Sequence, residues 1–280
     1  MSIPGAPSRR PARPQTILEV VARSWVTPHL VRLTLGGPGF DGVDWGEATD
    51  RYIKIFFAKP GLGLEPPYDV AALRETLAPE DLPVTRTYTI RRVNAAAGSI
   101  DVDFVVHGDE GLAGPWAARA RVGERVVFAG PGGAYRPESD YDWHLFAGDE
   151  SAFPAIAAGI EALPAAARGL AVIEVESEAD RPALDAPEGV AVHWVFRGRR
   201  DERTPGLLAE AVDAAEWPAG RVQVFAHGER ESMKALREVF LNRRGLERGQ
   251  LSLSGYWATG RAEDRFQAEK REPIGMIFPA

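Results

Sequence analysis

Trp143-His-Leu-Phe-Ala147-Gly148-Asp149-Glu150-Ser151 decides the fold. Its first five residues read as a buried strand, and the next four turn that strand into a helix expected over Ala152–Leu163. Downstream, short apolar strands at Leu170–Glu176, Val190–Phe196, Val222–Ala226 and Leu251–Tyr256 alternate with helices at Pro205–Ala214 and Glu229–Arg243. Such alternation predicts a Rossmann-like, mostly parallel α/β sheet with helices on both faces. Ligands of open α/β sheets lie beyond the carboxyl ends of the strands, at a topological switch. Gly148, Asp149, Glu150 and Ser151 stand at that point and are candidate nucleotide-binding residues. No Gly-x-Gly-x-x-Gly fingerprint is present. Asp149 and Ser151 equally suit a helix N-cap, so both readings stay open.

Upstream the pattern is different. Gln15–Ser24, Leu30–Leu35, Arg51–Phe57, Arg86–Arg92, Ile100–Val106 and Arg125–Ala129 are short runs rich in β-branched and aromatic residues, separated by Gly, Pro and Asp. They predict an N-terminal antiparallel Greek-key β-barrel. Pro60–Pro83 reads as a long loop with one helical turn near Ala71–Thr76, and Gly111–Arg121 as the one clear helix of this half. The expected division is a disordered leader over 1–14, a barrel domain over 15–137, an α/β domain over 142–260 and a tail over 261–280.

Within the barrel, Arg86-Thr87-Tyr88-Thr89 places Arg86 and Tyr88 on one face of a strand. The cation suits a phosphate and the phenol suits a flat ring. A second signal runs from Asp103-Phe-Val105-Val-His107-Gly108 through Gly111-Leu112-Ala113 to Trp116-Ala117. Small residues there open a helix whose free amides can receive phosphate. Together the two stretches point to a flavin. Plainer alternatives are a half-buried strand with an exposed arginine, a strand-end His107 bonded to backbone, and a Trp116 that only packs.

The 280-residue chain has 45% hydrophobic and 26% charged residues, ordinary for a globular protein. Its net charge of −7 lacks the broad basic field of a nucleic-acid binder. It contains no cysteine, which excludes disulfides, thiolate catalysis, iron–sulfur clusters and Cys-ligated zinc. The five histidines lack metal-ligand spacing, so no metal site is expected. There is no apolar run of about eighteen residues, so no membrane insertion is expected. Met1–Pro14 has no apolar signal core. A cytoplasmic monomer is the expectation.

With these motifs in hand, the chain resembles the siderophore-interacting proteins, NAD(P)H-dependent ferric-siderophore reductases of the ferredoxin–NADP reductase superfamily. The resemblance runs from about Thr16 to Arg261. It rests on Tyr52-Ile-Lys54-Ile-Phe-Phe57, Arg86-Thr-Tyr88-Thr89, Asp103 through Gly108, Gly111 through Ala117, Gly130-Pro131, Ala147 through Ser151, Ala226-His227-Gly228-Glu229 and Gly255-Tyr256-Trp257. It implies FAD held by Arg86, Thr87, Tyr88, Thr89, Asp103, Val105, His107, Gly108, Gly111, Leu112, Ala113, Trp116 and Ala117. It implies NADPH or NADH at Gly148, Asp149, Glu150, Ser151, His227, Gly228, Glu229 and Trp257. A ferric siderophore would be received by Lys54, Arg136 and Arg261. Arg197, Arg199, Arg200 and Arg203 are candidates for the 2′-phosphate of NADPH, with a solvated charge run as the alternative. No protein acid or base is implied, because the cofactor carries the electrons. Two alternatives stand beside this one: a general NAD(P)H:flavin or ferredoxin-type reductase, and a non-catalytic flavin- or siderophore-binding module.

Overall fold

The computed structural model describes residues 14–109 and 111–278. The expected leader, Pro14 apart, lies outside the described residues. Strands β1 (Gln15–Thr27), β2 (Leu30–Gly36), β3 (Tyr52–Phe57), β4 (Val84–Asn94), β5 (Ser99–Val105) and β6 (Arg125–Gly132) close into a barrel ordered β1-β2-β5-β4-β3-β6. All its pairings are antiparallel. Alternate residues point inward, so Leu33 and Leu35 on β2, opposite Val102 and Ile100, fill the interior with Ile53, Ile55, Phe104 and Phe128. The intervening residues of β3 and β4 face outward, where Tyr52 pairs with Thr89 and Lys54 with Thr87.

Helix α2 (Ala113–Arg119) closes the barrel with Ala113 and Ala117 in the core. Gly114 permits the approach, since a Cβ there would lie 2.7 Å from the Val105 carbonyl oxygen. The helix is shorter than the expected Gly111–Arg121. Gly111 has a left-handed φ of 78°, and Ala120 turns the chain extended. In the long loop, α1 (Val70–Thr76) is capped by the Asp69 carboxylate.

The second half forms a five-stranded sheet from β7 (Trp143–Gly148), β8 (Gly169–Val175), β9 (Val190–Phe196), β10 (Val222–Glu229) and β11 (Leu251–Trp257). It is ordered β11-β10-β7-β8-β9 and parallel throughout. The inner strands β7, β8 and β10 are buried along their whole length, as helices on both faces require. On one face α4 (Thr204–Ala214) and α5 (Arg230–Arg237) bury Leu208, Val212, Met233 and Leu236 against Leu145, Leu170 and Val224. On the other, α3 (Phe153–Glu161) packs Phe153, Ile156 and Ile160 on Phe146, Ile173 and Phe225. That cluster continues into Leu30 of the barrel and Tyr135 of the connecting segment, so this face is also the seam between the two halves.

Two regions differ from expectation. The helix foreseen over Glu229–Arg243 is α-helical only to Arg237. Wider turns then cover Glu238–Arg243, with the Arg244 amide donating to the Val239 carbonyl at 2.9 Å. The tail also forms a helix, α6 (Glu263–Glu269), which the sequence pattern did not suggest.

An ion pair and a histidine–carboxylate contact tie the seam. Arg91 of β4, only 5% exposed, donates to Glu161 of α3 at 2.9 Å, and His29 lies 2.7 Å from the buried Asp180. Glu161→Ala would leave a buried guanidinium without its partner, and we expect a loss of about 3 kcal/mol in chemical denaturation. Burial opposes ionisation of Glu161, but Arg91 and Arg92 outweigh it and hold its carboxyl below the usual 4.5. Its contribution is therefore present above that value and is lost as pH falls below it. The difference between wild type and Glu161→Ala should shrink in acid, and a difference that grows in acid would contradict the assignment.

Candidate functional site

The seam encloses a cavity of about 470 Å³. One wall is the barrel: Tyr52 and Lys54 of β3, Thr87, Tyr88 and Thr89 of β4, and Asp103, Val105 and His107 at the end of β5. The opposite wall comes from the carboxyl ends of the parallel strands, with Asp149, Glu150 and Ser151 after β7, and Ser254, Tyr256 and Trp257 of β11. This is the switch point between β7 and its two neighbours, where such sheets bind ligands. Helix α6 adds a third wall through Glu263 and Gln267, followed by Lys270, spaced so that they share one helix face.

Asp149, 3% exposed, fixes the sheet side of the cavity. One carboxylate oxygen accepts from the Trp257 indole at 2.8 Å and from the Glu229 amide at 2.9 Å, and the other accepts from the Ser151 amide at 2.9 Å. Gly228, with φ of 151°, makes room for it, because a Cβ there would sit 2.9 Å from the Asp149 carboxylate. Gly148 likewise lets β7 pass β10, where a Cβ would lie 2.3 Å from the His227 carbonyl oxygen. Glu229 caps α5 through the Glu231 and Ser232 amides and also accepts from the Thr259 amide at 3.0 Å. Gly148, Gly228 and Glu229 thus shape the strand ends without lining the cavity.

Behind this wall lies a charged layer. Arg197, its side chain 2% exposed, sits 2.6 Å from Glu150 and 3.8 Å from Glu174. Arg200 lies 3.2 Å from Glu174 and covers the Trp257 ring at 4.6 Å. Burial pushes the Glu174 carboxyl up to about 7, with Asp149 and Glu150 adding to the effect against the two arginines. Of the arginines considered for a 2′-phosphate, Arg197 is therefore neutralised inside the protein, Arg200 reaches the cavity, and Arg199 and Arg203 are exposed.

On the barrel side, Tyr88 packs on Phe104 with ring centroids 4.3 Å apart, and burial pushes its phenol up. Arg86 does not line the cavity. Its guanidinium donates to the Thr85 carbonyl at 2.8 Å and to Asp264 of α6 at 3.3 and 3.4 Å. Asp103 is occupied by Arg32 at 2.6 and 2.8 Å. Burial lowers the His107 imidazole, with Arg197 as the next cause. Beyond His107, a second cavity of about 400 Å³ is lined by Asp109, Gly111, Leu112, Pro115, Trp116, Arg119, Ala120 and Glu124. Gly108 and Gly111 have left-handed φ of 57° and 78° with open space where a Cβ would be. Leu112, at the head of α2, offers no capping side chain to its amides.

The residues fit an FAD in two respects. The first cavity offers aromatic rings for a flat ring system. The second offers uncapped amides beside left-handed glycines, as a phosphate-bearing arm requires. Ala113 and Ala117 are core residues, so only their backbone is available to a ligand. Two of the three expected substrate cations also lie elsewhere. Arg136 pairs with Glu47 at 2.7 Å on an exposed surface, and Arg261 pairs with Glu269 at 2.8 Å; neither lines the cavity. Lys54 does. The cavity residues absent from the sequence-based set are Tyr52, Ser254, Glu263, Gln267 and Lys270. For the last three, the Glu-x₃-Gln-x₂-Lys spacing was the available signal.

A closed antiparallel barrel joined to a parallel α/β sheet, with a cavity at the seam, defines the ferredoxin-reductase-like two-domain class. Residues 19–135 match the family profile described as siderophore-interacting FAD-binding domain, and residues 141–260 match that described as siderophore-interacting protein. An uncharacterized protein of Mycobacterium tuberculosis is 45% identical over 277 residues, covering 93% of this chain and 96% of the relative. The ferric vibriobactin reductase of Vibrio cholerae is 32% identical over 265 residues, covering 94% and 96%. The crystal structure of a siderophore utilization protein from T. fusca superposes with a TM-score of 0.76 at 37% identity, covering 89% of this chain and 94% of that one. The chain belongs to the siderophore-interacting protein family.

His227 provides a test of the buried strand ends. It stacks on Phe225 at 4.0 Å, meets Tyr256 edge-on at 4.9 Å and shares a 3.0 Å hydrogen bond with the Ser252 hydroxyl. Burial pushes its imidazole down to about 3. As pH falls below 6.5 the unfolded chain takes up a proton that the folded protein refuses, so stability is lost progressively between those two values. Its imidazole resonances should stay those of the neutral ring down to pH ~4 in an NMR titration. Titration near 6 would show the site to be solvated.

Proposed function

We propose that the chain is an FAD-dependent ferric-siderophore reductase, moving electrons from NAD(P)H through FAD to Fe(III) and releasing Fe(II). The observation that carries this reading is the seam cavity. It is bounded by the aromatic and hydroxyl residues of β4 on one side and the strand ends of a dinucleotide-type sheet on the other, with Lys54 in its lining. The name of the Vibrio cholerae relative, a ferric vibriobactin reductase, agrees with it.

Bound FAD would accept two electrons at once from a nicotinamide and pass them on singly, which is the chemistry that metal reduction needs. The protein's part is positional. Tyr88, Thr87 and Thr89 would face the ring system, Arg86 and the backbone at Gly108, Gly111 and Leu112 would hold the phosphates, and Asp149 would fix Trp257 where a nicotinamide must enter. Glu150 and Ser151 would meet the nucleotide. No side chain need act as acid or base at the iron, and one NAD(P)H reduces two Fe(III) while releasing one proton. The reducing cytoplasm suits a chain without cysteine, and a monomer suffices because both walls come from one chain.

Purified protein should be yellow or take up FAD, and should produce Fe(II), trapped by a colorimetric chelator, from a ferric siderophore with NADPH or NADH. A protein that binds flavin but reduces no ferric chelate would leave only the binding-module reading. Reduction of free flavin with indifference to the chelate would favour a general flavin reductase. Arg86→Ala should weaken FAD about tenfold in a fluorescence titration, the size of one charge-assisted phosphate contact. Unchanged FAD affinity would remove Arg86 from the cofactor site.

A further inference from the structure

In the charged layer behind Trp257, the carboxylates of Asp149, Glu150 and Glu174 share the guanidiniums of Arg197 and Arg200. Asp149 takes hydrogen bonds from the Trp257 indole and from the Glu229 and Ser151 amides. Glu150 accepts from the Glu176 amide at 3.0 Å and lies 2.6 Å from Arg197. Glu174 of β8 is less well provided. Its side chain is 2% exposed, and neither of its oxygens accepts a hydrogen bond from a described residue. Arg200 stands 3.2 Å from its Oε1 and Arg197 3.8 Å from the same atom. A buried carboxylate without donors gives up its charge before one that has them. Burial accordingly pushes the Glu174 carboxyl up to about 7, with Asp149 and Glu150 adding to the effect against Arg200 and Arg197.

Arg200 links this carboxyl to the cavity. Its guanidinium covers the Trp257 ring at 4.6 Å, and both side chains line the cavity. Trp257 is therefore held twice, by Asp149 at the indole nitrogen and by Arg200 over the ring. The second hold depends on Glu174, because a neutral carboxyl offers Arg200 no counter-charge. The other charged groups nearby are already engaged. Asp201, at the head of α4, accepts from the Arg203 and Thr204 amides at 2.9 and 3.1 Å. Across the cavity, burial lowers the His107 imidazole, and the charges of Arg197 and Arg200 lower it further.

We infer that Glu174 is a positioning residue for Trp257: through Arg200 it holds the indole against the sheet wall of the cavity, and its protonation releases that hold. What Trp257 then admits, a nicotinamide nucleotide, rests on the reductase reading above. The sign follows from the carboxyl. On the alkaline side of neutrality Glu174 is charged, Arg200 is anchored and Trp257 is fixed. On the acid side Arg200 is freed and the ring yields to an entering nucleotide. Binding of the nucleotide is thus weaker at alkaline pH for a reason that lies behind the cavity wall.

The test uses the full-length, FAD-loaded protein labelled with 5-fluorotryptophan, with the Trp257 resonance assigned by its loss in Trp257→Phe. In a fluorine NMR titration that resonance should move with a midpoint near 7 in the wild type. It should stay in one place in Glu174→Gln, and also in Arg200→Gln, which serves if the first variant fails to fold. Relative to Glu174→Gln, the wild-type KM for the nicotinamide nucleotide should rise about threefold from about pH 6 to about pH 8, the scale of one cation–π contact, with little change in kcat. A wild-type resonance that does not move, or a titration that persists in Glu174→Gln and vanishes in Glu150→Gln or His107→Asn, would overturn the assignment. So would a KM difference that stays level while the nucleotide is oxidised. A wild type that oxidises neither NADH nor NADPH, while Trp257 still titrates through Glu174, would sink the reductase reading and spare the positioning role.

Discussion

The buried carboxylate of Asp149 is the constraint on which the site depends. It sits at the end of β7 and takes hydrogen bonds from the head of α5, the turn into α3 and the indole of Trp257. Three chain segments are thereby held at one point, more than a hundred residues apart in sequence at the extremes. A buried carboxylate is tolerated only where donors surround it. That is why a glycine, Gly228, stands beside it near the end of β10: a Cβ there would meet the carboxylate. The cavity wall follows from this arrangement, with Trp257 fixed on one side and the Arg200–Glu174 layer behind it.

The second organising feature is the seam. The core beneath α3 does not stop at the domain boundary but runs on to Leu30 and Tyr135, and the polar pairs Arg91–Glu161 and His29–Asp180 lie beside it. The cavity is thus made by two halves that share packing, and α6 spans their junction. Lys270 of the tail and Lys54 of β3 line the same cavity, and the neighbouring Glu269 gathers three arginines.

Much of this was legible in the sequence. The six barrel strands and five parallel strands follow from apolar alternation and its replacement by short apolar runs after Trp143. Lys54, Thr87, Tyr88, Thr89, Asp103, Val105, His107, the Asp149–Ser151 turn and Trp257 do come together at one cavity. What was not legible has identifiable causes. A glycine needed by a ligand looks the same in sequence as one needed by a neighbouring strand or carboxylate, so the close approaches of Gly148 to β10 and of Gly228 to Asp149 were visible only in the fold. The charge of Arg136 and Arg261 was visible, but their partners Glu47 and Glu269 were not, since pairing depends on the fold. Helix α6 escaped because Glu-Asp-Arg-Phe-Gln-Ala-Glu has a single large apolar residue, Phe266, and no amphipathic stripe. Its stability comes from that one buried ring and from ion pairs made elsewhere in the chain.

The central claim is that electrons cross this seam from a nicotinamide to iron. Its most direct test is anaerobic rapid mixing of the FAD-loaded protein, first with NAD(P)H and then with a ferric siderophore, while the visible flavin absorbance is followed. The account predicts bleaching on the first mix and recovery on the second, with two Fe(II) formed for each flavin reoxidised. Bleaching without recovery, and without Fe(II), would contradict it.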